Sequence, residues 1–290
     1  MQASEASRAG TAAISTVSAL GLEAYDAIVL HNSNRLALRL RPCDLLARVE
    51  PAEGGGRSEY EVEVARRLAE TNGPVALLDP RVEPRVYVRG GFDITLWTYY
   101  EPVSDRDVAP VEYARALERL HAGMRQVDFA APHFTDRVAE AQLLVDHPAL
   151  TPDLRDADRE LLSNTLRELT WAIGQRDASE QLIHGEPHPR NVLSTKYGPL
   201  FIDLETCCRG PVEFDLAHVP EEVSDRYPNA DQQLLSECRT LVLAMVAAWR
   251  WDLRDQYPDG QAAAGELLSA LRDGPPYPAL DVVMHRPGGR

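Results

Sequence analysis

The amino-acid sequence predicts an α+β protein, with a strand-rich first third followed by a longer, mainly helical part. In the first hundred residues apolar side chains alternate with a period of two, as in "RLALRLR" (35–41) and "LLARVE" (45–50), which is typical of half-buried strands. Beyond Pro102 they recur at helical spacing, as in "PVEYARALERLHAGM" (110–124). A small antiparallel β-sheet and a larger helical part are therefore expected.

The elements of the first part follow from local patterns. A short helix is predicted over 14–28, and a hairpin around Gly90-Gly91. The segment 58–71 is predicted to be the one helix of the sheet region, with Ser58 as its N-cap and Glu61 at the capping-box spacing. The strands are expected at 27–30, 35–41 and 45–50.

The second part is expected to contain several helices and one embedded β-hairpin. The hairpin is predicted from "NVLS" and "PLFIDLE", two short apolar runs around a "KYG" turn. The change in pattern near Tyr100–Val103 predicts two domains, 1–101 and 102–290. Helices are expected at 110–124, 133–148, 157–177, 231–255 and 262–272.

Composition excludes some classes of function. The net charge of −15 argues against a nucleic-acid-binding protein that neutralises phosphates, and it is compatible with a cationic small substrate. The longest apolar run, 241–249, is too short to span a bilayer, so no membrane partner is expected. The four cysteines form no C-x-x-C pair, so a structural zinc site is not expected. Reduced thiols in a cytoplasmic protein are the simple interpretation.

The basic residues are almost all arginine. Of the 30 lysines and arginines, Lys196 is the single lysine. A phosphate contact elsewhere in the chain must therefore use arginine or backbone N–H groups.

The segment "LIHGEPHPRNVL" (182–193) concentrates polar side chains with chemical potential. His184 and His188 stand four residues apart with Glu186 between them, which suggests a zinc hydrolase as one alternative. Pro187 and Pro189 oppose it, because a helix interior does not tolerate them and the two imidazoles would not share a helix face.

A second interpretation uses the residues that follow. Asn191 stands five residues after Glu186, and Asp203 ends the second apolar run of the predicted hairpin. Phosphoryl transfer needs a carboxylate at the attacking hydroxyl, together with an amide oxygen and a carboxylate that hold Mg²⁺ on the ATP phosphates. Adjacent strands of one hairpin can bring the two metal ligands together.

These motifs resemble the aminoglycoside phosphotransferase and choline kinase-like family. The family's loop reads H-G-D-x-x-x-x-N, and this chain has "HGEPHPRN" at 184–191. The family's metal strand and its G-P-x-x-x-D-L-A segment correspond to "IDLE" (202–205) and "GPVEFDLA" (210–217). The resemblance implies a two-lobed protein kinase-like fold.

The resemblance also implies roles. Glu186 aligns with the catalytic base, and Asn191 and Asp203 align with the Mg²⁺ ligands. His184 and His188 are expected to organise the loop, and Asp215 is expected to brace it. The implied activity is transfer of the γ-phosphate of ATP to a hydroxyl of a small molecule, which an aminoglycoside or an amino alcohol would fit.

In the smaller lobe of such kinases, a strand lysine pairs with the ATP phosphates and with a helix glutamate. Arg48 stands at the equivalent strand position, and Glu61 is its expected partner. Further nucleotide contacts are expected from the loop "HNSN", through Ser33 and Asn34, and from the linker "LWTYYE", through Trp97 and Tyr99. Those two aromatic residues fit the protein core equally well.

Two departures from the family pattern are chemically significant. Glu186 replaces aspartate, so its carboxylate sits one methylene further from the backbone, and a misplacement of about 1 Å can cost roughly 10²-fold in rate. Arg48 replaces lysine and keeps the charge with a different geometry. A nucleotide-binding protein that does not transfer phosphate therefore remains an alternative to the kinase.

Overall fold

A computed structural model describes residues 1–33, 35–52, 56–103, 108–255, 257 and 259–277. Within these residues the chain is α+β, which confirms the predicted class. It divides into two compact units. The first comprises Met1–Asp107 and Leu193–Glu205, and the second comprises Val108–Val192 and Thr206–Arg290.

Both units contain helices and strands. The helices are α1 (Ala3–Ala19), α2 (Arg57–Leu68), α3 (Pro110–Met124), α4 (Phe134–Asp146), α5 (Asp156–Gly174), α6 (Val212–Leu216), α7 (Glu221–Ser224), α8 (Gln232–Arg250) and α9 (Gly260–Asp273). The strands are β1 (Ala24–Asn32), β2 (Leu36–Pro42), β3 (Leu45–Pro51), β4 (Tyr87–Arg89), β5 (Phe92–Thr98), β6 (Glu180–Ile183), β7 (Val192–Thr195), β8 (Gly198–Phe201) and β9 (Cys208–Pro211). Single 3₁₀ turns occur at Pro189–Asn191 and Leu204–Thr206.

The first unit contains a five-stranded antiparallel sheet with strand order β1-β2-β3-β5-β4. Leu38 of β2 pairs with Ala47 of β3, which pairs with Leu96 of β5, and all three are buried. Successive side chains of a strand point to opposite faces. The alternation read from the sequence thus separates an apolar face from one that carries Arg39 and Arg48.

Helix α1 covers the apolar face of this sheet. Its small side chains, among them Ala9, Ala13 and Val17, pack in one cluster with the sheet's buried leucines. The prediction of a helix over 14–28 was wrong, because α1 begins at Ala3 and ends at Ala19. Gly21 adopts a left-handed conformation with φ of +80° just before β1, which needs no strain at a glycine.

The cap predicted for α2 was also wrong. The helix begins at Arg57 with Gly56 as its N-cap, and the Ser58 hydroxyl donates to the Glu50 carboxylate instead. Glu61 does not cap the helix either. It is fully buried and accepts hydrogen bonds from Arg35 and Arg48. The capping-box spacing is therefore coincidental, and Glu61 makes tertiary contacts instead.

The hairpin of β7 and β8 formed as predicted, and most of it groups with the first unit. Phe201 donates its backbone N–H to Pro74 O at 2.8 Å and accepts from Ala76 at 2.9 Å. Residues 193–205, which carry Asp203, thus belong with the sheet and not with the helices that surround them in sequence. The domain boundary at 101/102 stays a prediction.

The second unit is mainly helical, with α8 packed against α4, α5, α6 and α9. Nearly all of α8 from Leu241 to Ala248 is buried, which explains its continuous apolar sequence. Strands β6 and β9 form a two-stranded antiparallel ladder. Strand β6 precedes the predicted hairpin and β9 follows it, and their pairing was not predicted, because each strand has only four residues. In the described residues, no helix is both long and apolar enough to cross a bilayer.

Removing side-chain volume from the apolar sheet face should destabilise the first unit. Leu38 is 1% exposed, so Leu38→Ala leaves a cavity, and we expect the free energy of unfolding to fall by about 2–5 kcal/mol. Ile28→Ala on exposed β1 is the matched control, and it should cost little. Urea denaturation followed by circular dichroism measures both. Equal losses in the two variants would contradict the assignment of the core.

Candidate active site

The loop that begins at His184 is held by one buried carboxylate. The Asp215 side chain accepts the backbone N–H of His184 at 2.8 Å and that of Gly185 at 2.7 Å. His121 on α3 lies 2.9 Å from the same carboxylate, and its other ring nitrogen lies 2.8 Å from the Tyr227 hydroxyl. Burial raises the pKa of Asp215, but the His121 hydrogen bond and nearby charges outweigh it and lower that pKa. Asp215 therefore braces this loop as an ionised group.

Gly185 is required at its position by geometry. Its φ is +86°, and a Cβ there would lie 2.1 Å from the backbone oxygen of Thr206. The Thr206 hydroxyl in turn donates to His184 O at 3.0 Å. The chain after the loop therefore lies against the loop too closely for any side chain at residue 185.

Further backbone groups of the loop are also engaged. The Tyr113 hydroxyl donates to Pro187 O. Asn191 Nδ2 donates to Glu186 O at 3.0 Å, and the Glu186 N–H lies 3.4 Å from His184 Nδ1. His184 is fully buried, and its contacts hold the loop, in line with the structural role expected for it. A loop satisfied at so many points presents its side chains in a fixed geometry.

The Glu186 carboxylate is ion-paired with Arg137 of α4. The same guanidinium donates to Gly185 O at 3.0 Å and lies 5.2 Å from the ring centroid of Trp249. Burial raises the pKa of Glu186, but the Arg137 charge and the imidazoles of His218 and His188 outweigh burial and lower it to about 2. Glu186 is thus a carboxylate at any physiological pH.

His218 lies in the electrostatic environment of Glu186. Its Nδ1 lies 2.8 Å from Phe214 O, and burial lowers its pKa to about 4. Among the described residues its Nε2 has no hydrogen-bond partner. A neutral imidazole is therefore expected beside the ion pair.

The zinc alternative finds no matching geometry. In the part of the chain that the structure describes, no three His, Cys, Asp or Glu side chains are grouped so as to hold a metal ion. His184 Nδ1 faces a backbone N–H, and His188 Nε2 lies 3.4 Å from Asn191 Nδ2. The prolines keep the loop out of a helix, as expected from the sequence, so the two histidines do not share a helical face.

In the first unit, Arg48, Glu61 and Asp203 form one cluster. Arg48 on β3 is ion-paired with Glu61 on α2, and its second terminal nitrogen donates to Asp203 Oδ1 at 2.6 Å. Glu61 also accepts the backbone N–H of Leu204 at 3.1 Å. Asp203 itself has a φ of +67°, a left-handed conformation that is uncommon outside glycine and is concentrated at functional sites.

Arg35 is a second cation in this cluster, and the sequence patterns did not single it out. Its terminal nitrogens lie 2.5 Å from Glu61 and 2.6 Å from Glu205, and its Nε donates to Glu50 at 2.9 Å. Burial and the Asp203 carboxylate raise the pKa of Glu205 to about 7 despite the two arginines. In the sequence, Arg35 is a charged residue at the start of an alternating strand. Such a side chain is usually exposed, so the sequence did not indicate that Arg35 is buried.

The other residues expected to contact nucleotide have mixed outcomes. Trp97 is buried at 3% exposure, and its indole N–H donates to Thr95 at 2.8 Å, so its side chain lies in the core, and a nucleotide contact at this residue stays a prediction. The Tyr99 ring is covered on one face by Arg39, at 4.1 Å from its centroid. Ser33 is exposed and donates its backbone N–H to Arg35 O. Asn34 lies outside the described residues.

Asn191 and Asp203 each offer an oxygen of the kind that a hard divalent cation prefers. Asn191 Nδ2 faces a carbonyl oxygen, so the amide is oriented by that acceptor and Oδ1 is the atom that a cation would contact. Asp203 supplies a carboxylate. Amide and carboxylate oxygens suit Mg²⁺, which takes few protein ligands and completes its shell with phosphate and water. Asn191 lies in the second unit and Asp203 in the first, and each is described within its own unit.

Each unit thus assembles part of the predicted set. Arg48, Glu61 and Asp203 meet in the first unit. The residues of the second unit that meet around the loop are His184, Glu186, His188, Asn191 and Asp215. Sequence reasoning missed several partners of these groups, because they lie outside the motifs, and among them are Arg35, Tyr113, His121, Arg137 and Thr206.

Solved structures of small-molecule kinases share this fold. An amicoumacin kinase, solved with AMP-PNP, Ca²⁺ and its ligand, has a TM-score of 0.70 and 12% identity over 97% of this chain and 100% of its own. The GDP complex of aminoglycoside 2'-phosphotransferase-IIIa has a TM-score of 0.65 and 15% identity, over 90% of this chain and 96% of its own. Choline kinase LicA from Streptococcus pneumoniae has a TM-score of 0.64 and 13% identity, over 90% of this chain and 97% of its own. These likenesses confirm the two-lobed kinase-like fold.

Sequence comparison is decisive for the family. A search of curated proteins gives no match. A sequence model described as the phosphotransferase enzyme family, however, matches residues 30–239, well over half of the chain. The motifs, the fold and this match agree, and the chain belongs to the phosphotransferase enzyme family.

Proposed function

We propose that this protein transfers the γ-phosphoryl group of ATP to a hydroxyl group of a small molecule in the presence of Mg²⁺. The observation that carries the proposal is the ionised Glu186 carboxylate on a loop whose backbone is fixed by Asp215, Asn191 and Tyr113. Membership of a phosphotransferase family supports the reaction class. Phosphoryl transfer relies on such positioning more than on covalent chemistry by the protein.

In the proposed reaction Glu186 accepts a hydrogen bond from the acceptor hydroxyl and orients its oxygen toward the γ-phosphorus. The new P–O bond forms as the bond between that phosphorus and the bridging oxygen of ADP breaks. The hydroxyl proton passes to the Glu186 carboxylate and then to solvent. Asn191 and Asp203 would hold Mg²⁺, which neutralises charge on the phosphates when bound.

Arg48 is proposed as the phosphate-binding cation of the first unit. Glu61 holds it, so its guanidinium is ordered before nucleotide arrives. Its contact with Asp203 balances that carboxylate in the absence of nucleotide. Because the cluster contains four carboxylates and two arginines, the additional positive charge of Mg²⁺ would be favoured there.

The acceptor is proposed to be an amino alcohol or an amino sugar. Two observations support this class. The net charge of −15 favours approach of a cation. The names of two structural neighbours specify choline and aminoglycosides, both of which carry a cationic nitrogen and hydroxyl groups.

A second candidate is a nucleotide-binding protein that does not transfer phosphate. The Arg137–Glu186 ion pair favours it, because a carboxylate with a pKa of about 2 is a weak proton acceptor. An ATP- and GTP-consumption screen across aminoglycosides, amino alcohols, nucleosides and sugars separates the two. Turnover with any acceptor supports the kinase, and nucleotide binding without turnover supports the alternative.

Replacing Glu186 with its neutral isostere should abolish most turnover. Glu186→Gln keeps the size of the side chain but cannot take the hydroxyl proton, so we expect kcat to fall by about 10²–10⁴-fold. Mg·ATP binding, measured by thermal shift, should be unchanged. Glu180→Gln, on a surface strand of the same unit, is the control. Near-full turnover by Glu186→Gln would remove Glu186 from the reaction.

Replacing Asp203 should weaken nucleotide binding only when metal is present. Asp203→Asn loses the charged oxygen for Mg²⁺, so we expect Mg·ATP affinity to fall at least about tenfold. With EDTA the variant should bind ATP no more weakly than the parent protein. Isothermal titration calorimetry measures both conditions, with Asp26→Asn on exposed β1 as the control. Unchanged Mg·ATP affinity would contradict the metal assignment.

A further inference from the structure

Arg137 makes two contacts to consecutive residues of the loop. One terminal nitrogen, Nη1, donates to Gly185 O at 3.0 Å, and the other, Nη2, is paired with the Glu186 carboxylate. The two nitrogens belong to one rigid, planar guanidinium. One guanidinium therefore joins the Glu186 carboxylate to the carbonyl of the preceding residue and limits where that carboxylate can lie.

The guanidinium is itself fixed in place. Arg137 extends from α4, is 15% exposed, and lies over the Trp249 ring of α8. The loop side is equally fixed, because Asp215 holds the N–H of Gly185 while Arg137 holds its carbonyl. In the described part of the chain, Arg137 is the hydrogen-bond partner of the Glu186 carboxylate. Arg137 therefore decides where that carboxylate lies.

A glutamate side chain has one more rotatable bond than an aspartate side chain, so its carboxylate needs a partner that fixes its position. Aspartate, the residue at this position in the family's loop motif, carries its carboxylate one methylene closer to the backbone. We propose that Arg137 is a positioning residue that fixes the Glu186 carboxylate where it can take the proton of the acceptor hydroxyl. The inference rests on the proposed phosphotransfer function and explains how a glutamate serves at this position.

The proposal predicts that the two residues are matched and that a double-mutant cycle shows it. With Arg137 present, Glu186→Asp pulls the short carboxylate away from the acceptor, so kcat should fall by about 10²-fold. Arg137→Gln releases the Glu186 carboxylate from its fixed position, and kcat should fall by at least about tenfold, with KM for ATP little changed. The combined variant frees a shorter arm and should recover at least about tenfold over Glu186→Asp.

Two further variants separate positioning from mere structural support. Arg137→Lys keeps the charge and should restore part of the activity that Arg137→Gln loses. Arg176→Gln removes another Arg–Glu pair of the same unit, with Glu237 at 2.5 Å, and should leave kcat unchanged. The cycle is measured with the acceptor found by the consumption screen, and melting temperatures confirm that every variant is folded.

A readout without any acceptor keeps this proposal distinct from the proposed function. In protein labelled with ¹³C at the glutamate side-chain carboxyl, Glu186→Gln identifies the Glu186 resonance. At one fixed neutral pH, that resonance should shift in Arg137→Gln, return toward its position in Arg137→Lys, and stay unchanged in Arg176→Gln. If the screen finds no acceptor, the proposed function fails while this measurement still tests the contact.

Several outcomes would overturn the positioning role. The first is a Glu186 resonance that Arg137→Gln leaves in place. The second is a Glu186→Asp protein as active as the parent. The third is a double variant whose fold-loss in kcat equals the product of the two single fold-losses. Such independent effects would mean that Arg137 does not fix the position of the Glu186 carboxylate.

Discussion

The loop from His184 to Asn191 depends on one interaction, in which the buried Asp215 carboxylate takes the backbone N–H groups of His184 and Gly185. A buried carboxylate must be hydrogen-bonded by protein groups, because an unpaired buried charge costs several kcal/mol. Two backbone donors and the His121 ring meet that requirement. Once those N–H groups are fixed, the directions of the neighbouring carbonyl and side-chain groups follow, including the carbonyl that Arg137 contacts.

The first unit uses the same device with a different residue. Glu61 is fully buried and is satisfied by Arg48, Arg35 and the backbone N–H of Leu204. Breaking such a buried pair by removing one partner typically costs about 3–5 kcal/mol. Glu61 therefore links the sheet, α2 and the segment that carries Asp203. In each unit, one buried carboxylate holds the backbone beside a candidate catalytic or metal-binding side chain.

The two departures from the family motifs are accompanied by extra arginines. A lysine would carry a compact charge, whereas the planar guanidinium of Arg48 contacts Glu61 and Asp203 at the same time. Arg35 also helps to neutralise the surrounding carboxylates. At the position where the family motif has the shorter aspartate, the carboxylate of Glu186 is ion-paired with Arg137. In both places planar guanidinium groups with two contacts fix the geometry that a single charge could not.

The sequence by itself determined the fold class, the strands of the sheet, most helices of the second unit, and the identity and spacing of Glu186, Asn191 and Asp203. These follow from periodicity and from a motif, both of which are local. It misplaced α1 and assigned Ser58 to a cap, because alanine-rich surface and capping patterns depend on what packs against them. Only the tertiary structure decided that Glu61 is buried and also meets Arg35, and that Arg137, far away in sequence, meets Glu186. Those contacts join residues 26 and 49 positions apart, and no local pattern encodes a partner at such a distance.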